Sequence, residues 1–487
     1  MDGATERMDT LSVEYGIAQV WKHLFQLEQV GRTDNFFELG GDSTLVLDAL
    51  ARVNQQFGCE LTVADAYLNP TIEELALCVC GGETKDELVD LLQEAALDDA
   101  LVALPGQSRS PAENVLLTGA TGFVGRFLLA QLLRDTDSTI YCLVRAPNQS
   151  SASSRLRERL SSWDLWRDEL LGRVVAIPGD LRMPRLGIEE TTYRQLSRSI
   201  DSVHHCATSM NHLETYAMAK PANVGAIREV LRLASDQNPK VINYISTLGV
   251  FNGPAPGSAR VVDEDTPIDY ERHWASEGYT ASKWVGEKMF LAAQEKGIAC
   301  NIFRLGLICA DSERGRYDRH QYDYRLLKSC LLSGYGIRNY RFRMVPTPVD
   351  YAARAVVLLS NRHPDGRGIF HISSCSEIPE RVFERYNEAA NAALDLLPFY
   401  EWVQEIKRLH YLGRPLPIAP LMESEFCLDE VSFYDRQRML QSQAPLIDCT
   451  RTQRELEGAG VIAHVFNNEL MRLSLDDMRA RDVDLSG

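Results

Sequence analysis

Apolar positions recur along this chain with two different periods. In EYGIAQVWKHLFQL, Ile17, Val20, Trp21, Leu24 and Leu27 form one stripe at helical spacing. STLVLDALARVNQQFG predicts a second helix, closed by Gly58. NPTIEELALCVC predicts a third, with Thr71 as N-cap and Glu74 three residues on, as in a capping box. No strand pattern interrupts them, so residues 10–82 read as a small all-α bundle. TKDELVDLLQEAAL predicts one more helix, and LPGQSRSPAEN, rich in Pro, Gly and Ser, reads as a linker, placing a connection over residues 83–111.

From residue 112 the period changes. VLLTGA, TIYCLVRA, RVVAIPGDL, SVHHCAT, KVINYIST and ACNIFRLGLI are short apolar runs of strand length. Helical segments separate them, among them GRFLLAQLLRD and RLRERLSSWDLWRDEL. This order predicts an α/β fold: a doubly wound parallel sheet of the Rossmann type, covered on both faces. The regularity fades from about Gly315, and FERYNEAANAALDLLPFYEWVQEI reads as helical. The core is therefore expected over about 112–375, with a smaller, mostly helical C-terminal portion over about 376–487. No internal repeat is visible.

Composition narrows the classes. At 487 residues the chain is too long for a single core. A formal net charge of −17 repels phosphate backbones and argues against a nucleic-acid partner, while a nucleotide needs only a local site. The 11 cysteines are scattered, and Cys78-x-Cys80 lacks zinc-site spacing, so they read as small core residues in a reducing compartment. The polar MDGATERMDT is no signal peptide, and no apolar run is long enough to span a bilayer, so the expected location is cytoplasmic and away from membranes.

VLLTGATGFVG places Gly119, Gly122 and Gly125 between a strand and a helix, with Thr121, Phe123 and Val124 in the same turn. The first glycine permits a tight turn, the second lets backbone approach a pyrophosphate, and the third lets helix and strand pack closely; the helix N-terminus then offers N–H groups to the anion. The second strand, YCLVRA, ends in Arg145 rather than an acid. An arginine suits a 2′-phosphate, which favours NADPH over NADH. Arg155 in RLRER is a second candidate, and Asp180, ending VVAIPGD, sits where a third strand reaches an adenine.

GYTASKWVGEK carries Tyr279 and Lys283, four residues apart on one helix face. The ammonium is expected to lower the tyrosine pKa, making Tyr279 a proton donor or acceptor. NYISTLGVF supplies Ser246 and Thr247 at a strand end, where active-site groups collect in such sheets.

Together these residues resemble the extended short-chain dehydrogenase/reductase family. Counted back from Val250-Phe251, Thr247 falls on that family's catalytic Ser/Thr position and Ser246 does not. The resemblance implies catalytic roles for Thr247, Tyr279 and Lys283, with Lys283 also holding the nicotinamide ribose. It adds Leu181, Cys206, Ala207 and Thr208 as cofactor positions. RLGLI departs from the family's usual Arg-Pro, because Leu305 stands in place of proline; Leu305 and Ile308 are the cofactor positions carried over from that stretch.

DNFFELGGDS resembles the phosphopantetheine attachment motif of peptidyl carrier proteins, with Ser43 as the attachment residue. Gly40 and Gly41 would leave the hydroxyl unshielded, and the helix N-terminus favours a phosphodiester. A carrier followed by an extended-type reductase resembles the terminal thioester reductase modules of nonribosomal peptide synthetases, and equally the C-terminal half of carboxylic acid reductases. The resemblance implies an acyl or peptidyl thioester on a 4′-phosphopantetheine arm, reduced with NADPH to an aldehyde and, in a second cycle, to an alcohol. It also implies a phosphopantetheinyl transferase and upstream adenylation or condensation modules as partners, in cis or in trans. Two alternatives remain: a redox-neutral terminal cyclase of the Dieckmann type, whose relatives carry a degraded triad, and a sugar-nucleotide epimerase or dehydratase, which has no use for a carrier.

Overall fold

The computed structural model describes residues 10–37, 39, 43–59, 61, 65–66, 69–80, 90–106, 108–167, 172–210, 214–251, 261–268, 278–341, 345–374, 380–414, 416–419 and 445–482. The N-terminal unit holds α1 (Thr10–Phe25), α2 (Ser43–Phe57) and α3 (Ile72–Val79). Ile17 and Trp21 of α1 pack with Val46, Leu50 and Val53 of α2, Ile72 and Leu75 of α3, and Phe36. Thr71 and Glu74 close the capping box in both directions, and Gly58, at φ 63°, ends α2. Leu27 is not on the stripe: Gln26 turns left-handed at φ 54°, α1 stops at Phe25, and Leu27 is exposed.

The connection is described from Asp90. Its helix is only α4 (Leu91–Glu94); residues 84–89 of the predicted helix lie outside the described residues. Ala95 and Leu101 of this segment bury themselves in the core of the sheet that follows.

That sheet takes in β1 (Asn114–Thr118), β2 (Thr139–Val144), β3 (Val174–Pro178), β4 (Ser202–His205) and β5 (Val241–Thr247). Between them run α5 (Phe123–Asp135), α6 (Gln149–Ser161), α7 (Glu190–Ser199), α8 (Tyr216–Lys220) and α9 (Ala226–Ala234). The two-residue strand β6 (Val261–Val262) stands apart, and α10 (Gly278–Glu295) leads to β7 (Cys300–Leu305). Successive residues of β1 face opposite sides, as a strand's pleat requires. Leu116 joins the core under α7, α9 and α10, while Val115 and Leu117 join the core under α5 and α6.

Three sequence expectations are corrected. RLRERLSSWDLWRDEL is not one helix: α6 stops at Ser161, and Asp164, at φ 55°, belongs to a turn. ACNIFRLGLI is not one strand: it divides at Gly306 into β7 and β8 (Leu307–Cys309). The alternation also does not fade at Gly315. After α11 (Tyr322–Ser333), β9 (Tyr335–Ile337) and β10 (Pro346–Pro348), which pairs with β8, come α12 (Val349–Arg362) and β11 (Ile369–Ile372). They complete a seven-stranded parallel sheet of order β11-β7-β5-β4-β1-β2-β3.

The C-terminal portion is built from α13 (Val382–Ala390), β12 (Asp395–Leu397), α14 (Phe399–Tyr411), β13 (Leu446–Ile447), α15 (Thr450–Glu457) and α16 (Asn468–Arg481). FERYNEAANAALDLLPFYEWVQEI is broken, not continuous, because Asn391 and Ala393 are left-handed at φ 48° and 54° and β12 pairs with β9. Phe383, Trp402, Leu327 and Met471 share its core. Cys449 is disulfide-bonded, an exception to the expectation of reduced core thiols, whereas Cys142, Cys300, Cys309 and Cys330 are free and buried.

Candidate active site

The strand order reverses direction between β1 and β4, which opens a crevice at their carboxyl ends. Gly119 leaves β1 at φ 82°, and a Cβ there would meet the Ala207 backbone nitrogen at 2.8 Å. Thr118 Oγ1 ties the two sides: it accepts from the Ala207 N–H at 3.1 Å and pairs with His205 Nδ1 at 2.9 Å. Gly122 donates its N–H to the Gly119 carbonyl at 2.8 Å and is the N-cap of α5, with no side-chain cap on the first-turn N–H groups. A Cβ on Gly125 would collide with the Gly119 carbonyl. The turn has the features a pyrophosphate site needs: close backbone approach at its glycines and the positive end of a helix with no side-chain cap. Phe123 turns its ring away to pack with Trp163 and Val349, with Val124 and Ile308 alongside.

Beyond the turn, Arg145 is exposed after β2, and its carbonyl accepts from Arg155 Nη1 at 2.7 Å. Asp180, after β3, is held by Arg182 through N–H at 3.0 Å and Nη2 at 3.2 Å. Burial pushes the Asp180 carboxyl up, but Arg182 and then Arg145 hold it below its ordinary value. Asp180 thus lies under the influence of Arg182 and Arg145, while Arg155 meets the Arg145 main chain. Leu181 is half-buried against the α7–α10 face of the sheet.

Two strands from the glycine turn, about 10 Å across the sheet, Thr247 ends β5. Its hydroxyl oxygen accepts from the Gly249 N–H at 3.0 Å and is hydrogen-bonded to the Tyr279 hydroxyl. Lys283 Nζ donates to the Ile245 carbonyl at 2.7 Å and lies 4.8 Å from the centre of the Tyr244 ring. Cys206, next to Ala207, faces both Tyr279 and Lys283 electrostatically; burial pushes its thiol up to about 12, with Lys283 pulling the other way. Thr208 donates to the Ser209 carbonyl at 3.3 Å. Leu305 is buried and in register beside Thr247.

One electrostatic expectation is corrected. Lys283 does not draw Tyr279 down. Burial holds the phenol well above its ordinary value, and the downward pull comes from Thr247. Lys283 is itself pushed down to about 8 by burial, with Cys206 and Glu287 pulling upward. Desolvation outweighs the i,i+4 attraction at both groups, Lys283 being buried and Tyr279 half-buried.

Ser246 points to the opposite face from Thr247 and donates to Glu287. Glu287 pairs with Arg304 at 2.8 Å, both fully buried, and Arg304 meets His371 Nε2 at 3.1 Å. This chain runs behind the candidate site toward the C-terminal portion. Ser43 is the first residue of α2; Gly40 and Gly41 lie outside the described residues.

Sequence reasoning missed two supporting residues. Arg126 is buried in the first turns of α5 and donates to the Gly122 carbonyl at 2.9 Å and the Thr121 carbonyl at 3.3 Å. The same guanidinium reaches Asp318 at 3.0 Å and lies 4.7 Å from the Trp163 ring centre. Asn223 sits in a π-helical turn, Pro221–Gly225, and bonds Ser209 and the Ser282 hydroxyl, the latter at 2.8 Å. Such turns collect at functional sites, but one inserted residue leaves no periodicity to read.

Residues 16–79 match the family model described as Phosphopantetheine attachment site, and residues 117–356 match the one described as Male sterility protein. The chain thus carries a domain of each kind, a phosphopantetheine-attachment domain followed by one of the reductase type. A linear gramicidin synthase of Brevibacillus parabrevis is 30% identical over 406 residues, covering 81% of this chain and 8% of that protein. Nonribosomal peptide synthetase asaC of Aspergillus flavus is 28% identical, covering 95% of this chain and 46% of that one. The chain therefore spans less than half the length of these curated relatives. Among solved structures, the terminal R domain from the myxalamid PKS-NRPS biosynthetic pathway superposes with a TM-score of 0.69 at 28% identity, covering 81% of this chain and 97% of that one. The thiolation-reductase di-domain of an archaeal non-ribosomal peptide synthetase shares the fold over 97% of this chain and 98% of its own, at a TM-score of 0.68 and 22% identity. The carrier implies phosphopantetheine, and the reductase implies a nicotinamide dinucleotide. Among the described residues, no helix is long and apolar enough to cross a membrane, and no cluster of His, Cys, Asp or Glu is arranged to hold a metal.

Proposed function

We propose that this chain releases an acyl or peptidyl group from its own carrier by NADPH-dependent reduction. The observation that carries the reading is the Thr247–Tyr279 hydroxyl pair beside Lys283, at the carboxyl end of β5, in a chain that opens with a phosphopantetheine-attachment domain. Ser43 is the attachment residue, and the working units are the carrier over 10–82 and the reductase over 112–487. Gly119, Thr121, Gly122 and Gly125 would hold the pyrophosphate, Arg145 with Arg155 the 2′-phosphate, and Lys283 the nicotinamide ribose. NADPH supplies, when bound, a hydride equivalent for the thioester carbonyl carbon. Thr247 and Tyr279 direct their hydroxyls at the carbonyl oxygen, stabilising the charge that develops there. Tyr279 keeps its proton through the neutral range and can deliver it to that oxygen. One NADPH and one proton convert the thioester to an aldehyde and a free thiol; a second NADPH and proton give the alcohol. An intact triad supports this reading over the Dieckmann-type alternative.

Loading falls to upstream synthetase modules, after a phosphopantetheinyl transferase has modified Ser43, in a cytoplasmic setting. The test is NADPH consumption by holo-protein carrying a loaded acyl group. Tyr279→Phe should lower the rate at least 100-fold, within the usual reach of acid catalysis, and Ser43→Ala should abolish turnover of carrier-bound substrate. Consumption that survives both changes would sink the assignment. Arg145→Ala should reduce the preference for NADPH over NADH by about tenfold or more, the scale of one charge-assisted contact; an unchanged ratio removes Arg145 from the 2′-phosphate site.

A further inference from the structure

The segment between carrier and reductase is anchored to the reductase well before β1. Asp90 caps α4, accepting from the Leu92 and Gln93 N–H groups at 3.0 and 3.2 Å. The Glu94 carboxylate accepts from Lys220 at 2.7 Å and from the Tyr216 hydroxyl at 3.3 Å, both on α8. Its main-chain carbonyl accepts from Arg228 of α9 at 2.7 Å. Lys296, just past α10, donates to the Asp98 carbonyl at 3.2 Å. Around these bonds Ala95 and Leu101 are buried in the sheet's core, with Leu91, Leu97 and Ala103 packed against it. Met218, half a turn from Lys220 on α8, packs against the carrier's own core.

The consequence is a short tether. Only 10 residue steps separate Cys80, just past α3, from Asp90, where 34 would separate Cys80 from β1 at Asn114. We propose that Glu94 is a latch, a positioning residue that shortens the tether and raises the effective concentration of the carrier arm at the reductase. The proposal rests on the reductive-release reading. Effective concentration falls as about the −3/2 power of tether length, so freeing the segment lowers it about sixfold.

The measurement is an effective molarity. It divides the single-turnover rate for an acyl group on the Ser43 arm by kcat/KM for the same acyl group on free pantetheine. One variant inserts 24 Gly/Ser residues between Gly81 and Gly82, leaving the latch untouched. The other is Glu94→Ala with Arg228→Gln, which removes the latch at its centre. The insertion variant should lose about sixfold in effective molarity and the latch variant, whose segment stays anchored from Ala95 onward, about twofold, while kcat/KM on acyl-pantetheine is unchanged in both. An insertion variant with unchanged effective molarity overturns the proposal, and so does a latch variant that slows both substrates equally. Wild-type protein that consumes NADPH with neither substrate removes the reductive-release reading, and the latch with it.

Discussion

Lys283 and Tyr279 are one helical turn apart, and burial acts on them in opposite senses, lowering the ammonium and raising the phenol. The group that changes charge near neutrality is therefore Lys283, at about 8, while Tyr279 remains protonated. NADPH affinity, followed by cofactor fluorescence between pH 6.5 and 9.5, should weaken as pH rises through about 8, where the ammonium is lost. Lys283→Arg should remove that limb, because a guanidinium does not titrate there. Stability moves the other way. From about 8 to the ordinary 10.5 the unfolded chain holds a proton that the folded chain has lost, so this group makes the fold more stable as pH rises through that window. The grouping of Tyr279 with Lys283 was legible from spacing, and that of Thr247 with them from the family resemblance. Their protonation was not, because spacing carries the i,i+4 attraction and says nothing about how much water burial removes.

At the scale of elements, the glycine turn is held from below. Arg126 occupies the Thr121 and Gly122 carbonyls with one planar fork, which keeps those two peptides from rotating. Arg126→Lys keeps the charge and loses the fork. With each lost hydrogen bond worth about 1 kcal/mol, the Kd for NADPH should rise about tenfold, with kcat at saturating cofactor within twofold; a Kd within twofold of wild type would show that the turn holds itself. The sequence marked Gly119, Gly122 and Gly125 because a bare backbone is a property of the residue type. It did not mark Arg126, because Asp318 lies 192 residues away and nothing local distinguishes this arginine from a solvated one. Six of the seven strands of the central sheet were readable from their continuous apolar runs, and β11 was not. The division of ACNIFRLGLI at Gly306 was not: β7 and β8 belong to different sheets, and only their partners tell them apart.

For the whole molecule, the packing unit of the reductase starts before its first strand. Removing residues 1–89 should leave a folded reductase that still binds NADPH. Removing residues 1–111 strips Ala95, Leu101 and the Glu94 bonds from the core. At the usual value of a buried leucine and its neighbours this should cost about 3 kcal/mol, seen in calorimetry as a lower Tm for the shorter piece. Equal Tm values would mean that the segment merely lies on the surface.

The sequence alone determined the order of parts: a helical carrier with its serine, then a doubly wound sheet with a glycine turn and a Tyr-x-x-x-Lys helix. Each is a local signal, carried by period, residue type or spacing within a few positions. The tertiary structure decided what lies far apart in sequence and close in space. It set the seventh strand, the Arg126–Asp318 brace, the buried Glu287–Arg304 pair and the docking of residues 90–103 onto α8 and α9. The physical reason is that strand pairing, apolar burial and the pairing of a buried charge each need a partner that lies far along the chain, and only the folded chain brings that partner and excludes the water between them.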